Sequence, residues 1–187
     1  MPKRKTVDEL ARESRYWGKI NHLLRNPHLA HVDLEVPHDD KPNCFGTLAY
    51  VSGVQDEIAR ISDNEIKEWC QREFGMDPNE VYCPYNPSPV DGPGFIEQTR
   101  FMYFLSNSPS IEEVQPDQAR DCLITFWEHY ENGFAISHGG ILLGPHYKSN
   151  LNMFQQIGND NDFELIRALP DHPQLKGKTV RYFEIND

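Results

Sequence analysis

The sequence predicts an α/β chain, an α+β sandwich in which helices pack on a mixed sheet. Three observations carry that reading. From residue 44 onward, segments of strand period alternate with segments of helix period. Ala119, Cys122, Leu123, Phe126, Trp127 and Tyr130 recur at three- and four-residue spacing, which predicts an amphipathic helix over 118–130. Residues 134–136 form a short apolar run after the turn pair Asn132-Gly133. Gly139-Gly140 interrupts that run, 141–143 resumes it, and Gly144-Pro145 closes it, so a strand leads through a glycine break into a helix start.

Taken in order, the chain opens with Thr6 as a helix N-cap. Leu10, Trp17, Ile20 and Leu24 then mark one helix over 6–26, stopped by Asn26-Pro27. Residues 31–36 alternate, with Val32, Leu34 and Val36 on one face of a strand and His31, Asp33 and Glu35 on the other. A histidine and two carboxylates on one face can hold a divalent metal, but the same alternation is that of a half-solvated strand, and no metal site is assigned. The run 45–51 reads as a strand. Ser62-Asp-Asn-Glu65 is a capping box opening a helix over 62–74, with Ile66, Trp69, Cys70 and Phe74 on one side. Residues 76–94 hold five prolines with Gly92 and Gly94, a long irregular loop. A strand over 98–105 and a polar loop over 107–115 precede the helix at 118–130. After the glycine segment come a helix over 145–157, with Leu151 and Phe154 inward, and a short helix over 163–169. A loop over 170–177 leads to a terminal strand over 179–185.

Composition bounds the function. At 187 residues with 38% hydrophobic content, the chain suits one globular domain: an N-terminal extension over 1–43 and an α/β domain over 44–187 with 76–94 as an insertion. A formal charge of -11, from 29 acidic against 18 basic residues, argues against a nucleic-acid surface and favours a protein partner. Cys44, Cys70, Cys83 and Cys122 form no CxxC pair, so no zinc ribbon or disulfide framework is indicated. The start Met-Pro-Lys-Arg-Lys lacks an apolar signal core, and no long apolar run exists. The expectation is therefore a cytoplasmic protein away from membranes. No cofactor and no oligomeric state can be read from these residues.

The glycine segment carries the candidate site. Gly139-Gly-Ile-Leu-Leu-Gly-Pro145 resembles the most recognisable string of the IMPACT family, translation regulators with bacterial relatives. In that family the string follows a hydrophobic strand and an aromatic-containing linker, and a helix beginning with a polar residue, an aromatic and a lysine follows it. Here His138 precedes the glycines, and His146, Tyr147 and Lys148 follow the proline. The resemblance implies a fold related to the second domain of ribosomal protein S5, with counterparts at 45–51, 62–74, 98–105, 118–130 and 134–145. It also implies a regulatory module acting through protein partners. This chain departs from the pattern at 111–119, which has acids but no glycine, and no RWD domain precedes the match.

A second reading comes from the residues themselves. His138 and His146 flank the glycine turn and are candidate acid–base groups of a small α/β hydrolase or transferase. The backbone at Gly139, Gly140, Gly144 and Tyr147, with Lys148, then offers an anion-binding spot at a helix N-terminus. Ser137 and His138 cannot pair with each other, because neighbours on a strand point to opposite faces.

Overall fold

The apolar runs of this chain fold mostly as strands, and most of them are buried on both sides. The computed structural model describes residues 4–30, 44–53, 110–130, 133–147, 149–156, 162–173 and 175–186. The expected strands at 31–36 and 98–105, the helix at 62–74 and the loop at 76–94 lie outside them.

Six strands form one sheet: β1 (Ile111–Val114), β2 (Leu123–Tyr130), β3 (Gly133–Leu142), β4 (Leu151–Gln156), β5 (Phe163–Ala168) and β6 (Thr179–Ile185). Their order is β1-β6-β2-β3-β4-β5, and every pairing among the described residues is antiparallel. The α+β class therefore holds, with an antiparallel sheet in place of the mixed one. β2, β3, β4 and β5 are successive in the chain and adjacent in the sheet, a meander, and β6 pairs with the other side of β2.

Four expectations are corrected here. The stretch 118–130 is not a helix. Its residues from Leu123 onward are β2, with Leu123 and Trp127 in one core cluster and Ile124 and Phe126 in another. Leu123, Phe126 and Trp127 fit a helical spacing, yet the residues between them, Ile124 and Thr125, are also fully buried. A β-branched run with both faces covered is a central strand, and periodicity alone does not separate it from a buried helix. The same ambiguity hides β4, expected as a helix over 145–157. Leu151 and Phe154 are buried as anticipated, but on opposite faces of a strand in which all six residues are buried. Residues 163–169, expected as a short helix, form β5, with Phe163 and Leu165 alternating against Ile166 and Ala168. Within the polar stretch 107–115, Ile111–Val114 is an edge strand, held to β6 by Glu113 and Arg181, whose Nε and Nη2 donate to the two carboxylate oxygens at 2.7 and 2.5 Å. The terminal strand over 179–185 is observed as expected.

The expected strand at 45–51 is a helix, α3 (Cys44–Ser52). Phe45 to Val51 is an almost uninterrupted apolar run with little amphipathic bias, which a helix clamped between a sheet and other helices tolerates. The N-terminal helix is interrupted. Thr6 and Glu9 form a reciprocal capping box at the start of α1 (Val7–Glu13), but the chain leaves helical geometry at Ser14 and restarts as α2 (Trp17–Arg25). Buried Ser14 accepts from the Tyr16 N–H through its hydroxyl, the local competition by which serine breaks helices. A 3-10 turn over Pro27–Ala30 follows, and Asn26-Pro27 ends α2 as expected.

The three helices among the described residues cover one face of the sheet. Leu10, Ile20, Leu23 and Leu48 pack there with Leu123, Trp127, Ile141 and Phe154. The opposite face carries Phe126, Leu142, Met153 and Tyr182, packed with Cys122. No described helix is long and apolar enough to cross a membrane.

The close spacing of β3 and β4 depends on Gly140. A Cβ there would lie 2.9 Å from the Phe154 carbonyl oxygen and 2.9 Å from Met153 Cε. Gly140→Val is expected to destabilise the fold by about 1–3 kcal/mol, because the opposing atom is backbone and has nowhere to go. Gly18→Ala, on α2 with nothing within 4 Å of the new carbon, should stabilise by up to about 1 kcal/mol. Urea denaturation of both variants checks the contrast.

Candidate functional site

Gly139 and Gly140 do not break the strand. β3 runs through both, and the turn comes at Gly144, whose φ of +68° belongs to the left-handed region that glycine favours. No helix begins at Pro145, so the helix end invoked for anion binding is absent. The Gly144 N–H donates to Asp121 Oδ1 at 2.9 Å, and the His146 N–H donates to the Ala119 carbonyl at 3.0 Å. The anion held at this turn is the chain's own Asp121. Tyr147 lies under the Arg4 guanidinium, 4.4 Å from its ring centroid, and Lys148 lies outside the described residues.

His138 and His146 are not brought to one pocket. Four residues of extended strand, roughly 13 Å, separate His138 from Leu142 before the turn even starts. His146 meets Tyr182 edge-on at 5.3 Å. His138 is 5% exposed and stacks on Phe126 at 5.5 Å.

What surrounds His138 is a polar chain crossing three strands. His138 Nε2 lies 2.9 Å from Gln155 Oε1, and Gln155 Nε2 donates to Glu164 Oε1 at 2.6 Å. Because the Gln155 amide nitrogen serves Glu164, its oxygen faces the imidazole and Nε2 carries the proton. That assignment follows from the network and leaves Nδ1 with its lone pair. Burial drives the His138 pKa down to about 4; the Gln155 hydrogen bond opposes the shift, while the charges of Lys178 and His172 add to it. At neutral pH this is a neutral, oriented base.

The second component is α3, which lies against β3 and β4, the strands of His138 and Gln155. Thr47 Oγ1 donates to Gln156 Oε1, pinning α3 to β4. Cys44 lies one helical turn before Thr47 and is buried. Strand alternation places Cys44 on the Trp127 face and His138 on the Phe126 face. The pairing of β2 with β3 slips between Phe126 and Trp127: Phe126 faces His138 and Trp127 faces Ile136, leaving Ser137 as a bulge. The other described thiol, Cys122, is pushed up to about 12, first by burial and then by Glu184 and Asp121, so it stays protonated.

Sequence reasoning found His138 and missed Gln155 and Glu164, because their contact with it runs across strands and leaves no local spacing to read. The candidate metal face of His31, Asp33 and Glu35 lies outside the described residues. Within them, no three His, Cys, Asp or Glu side chains are grouped to hold a metal ion.

Protonation of His138 has a defined consequence for stability. Its folded pKa lies below the unfolded value of 6.5, so between those values the unfolded chain binds more protons. The contribution is complete above pH 6.5 and is lost as pH falls toward about 4, a change of about 3 kcal/mol. Urea denaturation across this range should show a shallower acid slope for His138→Gln than for the parent.

No protein-family model, no curated protein and no solved structure matches this chain, so the reading of the site stands on its own geometry.

Proposed function

We propose that the chain is a binding module of IMPACT type with a fold related to the second domain of ribosomal protein S5, acting through a protein partner. The string from Gly139 to Pro145 is the observation that supports it. It requires no reactive thiol and no base, and His138 then serves the sheet as a buried, hydrogen-bonded side chain.

Pro145, His146 and Tyr147 at the end of the string are partly exposed and are the residues such a partner would touch. A pull-down from native lysate should recover a translation component with the parent protein, and Tyr147→Ala should weaken that recovery at least about tenfold while circular dichroism shows the fold retained. Recovery of no translation component, or recovery unchanged by Tyr147→Ala, would overturn this reading.

A further inference from the structure

A cavity of about 460 Å³ opens between α2, the Val51–Gly53 segment and Ile185 of β6, within the size range of small-molecule sites. Arg15 and Lys19 line it together with Tyr16, Val51, Ser52 and Ile185. The chain carries a formal charge of -11, yet none of the residues lining this cavity is acidic and two are cations.

Both cations are fixed in place by neutral groups. Arg15 Nη1 donates to the Ile185 carbonyl at 2.9 Å and Nη2 donates to the Tyr16 hydroxyl at 2.7 Å, with the guanidinium 4.8 Å from the Tyr16 ring centroid. Lys19 Nζ donates to the Tyr50 carbonyl at 2.6 Å and lies 4.8 Å from the Tyr50 ring centroid. Among the described residues neither side chain is in an ion pair. A guanidinium has more N–H donors than the two used here, and an ammonium more than one, so each keeps donors for a ligand. The two charges are therefore positioned without being neutralised. Gly18 also lines the cavity, and a Cβ built on it meets nothing within 4 Å, so the glycine leaves room there.

We infer that this cavity binds a small organic anion, an acid group joined to an apolar body. Arg15 and Lys19 hold the acid group by charge-assisted hydrogen bonds, and Val51, Ile185 and the Tyr16 ring receive the apolar part. A carboxylate and a phosphate ester share this chemistry. The site does not depend on the partner reading above.

Isothermal titration calorimetry at low salt tests it with phenyl phosphate and with phenylacetate. At least one of the two should bind with a Kd below about 1 mM, and the tighter one identifies the acid group. Raising the salt should weaken that binding, because the cations are partly open to solvent. Lys19→Gln keeps a donor for the Tyr50 carbonyl and removes the charge; it and Arg15→Gln should each weaken binding at least about tenfold, with circular dichroism unchanged. Gly18→Leu fills the cavity from a helix position that favours leucine and should abolish binding, which keeps the test open if a charge variant does not fold. No saturable binding of either anion, equal binding of uncharged benzyl alcohol, or affinity within about twofold of the parent in any folded variant of the three overturns the site.

Discussion

Burial of β2 on both faces is the constraint from which the rest of the arrangement follows. Leu123, Ile124, Thr125, Phe126 and Trp127 are all within 2% of complete burial, so neither side of the sheet can be left to solvent. A central strand of this kind demands a layer above and a layer below. The helices supply one layer, through Ile20, Leu23 and Leu48, and Trp127 satisfies its own indole by donating to Thr125 on the same strand at 2.8 Å. With β2 flanked by β3 and β6, the meander β3-β4-β5 is left to carry whatever polar groups the interior holds.

Those polar groups are concentrated rather than scattered. His138, Gln155 and Glu164 lie on three adjacent strands and satisfy one another in sequence. A buried imidazole without such a partner would cost a few kcal/mol, so the glutamine makes the histidine's presence in the sheet tolerable. It also determines which ring nitrogen is protonated. Gln156, the next residue, faces the other way and binds α3 through Thr47. Two consecutive glutamines on one strand thereby address the two faces of the sheet: one orients the His138 imidazole and the other anchors α3. The period of two in a strand makes that division automatic.

The glycine segment shows how a legible string can be read in the wrong conformation. Gly139-Gly140 reads as a break in the strand, yet at Gly140 the missing Cβ leaves space that the Phe154 carbonyl occupies. The reason is contact between neighbouring strands, not a bend. Gly144 supplies the bend, and its φ of +68° brings its N–H to Asp121. A sequence shows that a Cβ is missing but not which neighbour requires it to be missing.

Read alone, the sequence determined an α+β class, the N-cap at Thr6, the stop at Asn26-Pro27, the buried state of Trp127 and Phe154, a strand over 134–136, and the terminal strand ending at Ile185. Each of these depends on residues near one another in the chain. Only the tertiary structure decided that 118–130, 145–157 and 163–169 yield β2, β4 and β5 while 45–51 is helical. An apolar run covered on every side lacks the polar residues that would reveal its period, so its neighbours choose its conformation. The candidate site was decided at the same level. Thr47 and Gln156 stand 109 residues apart and share no local motif. They meet because α3 packs against β4.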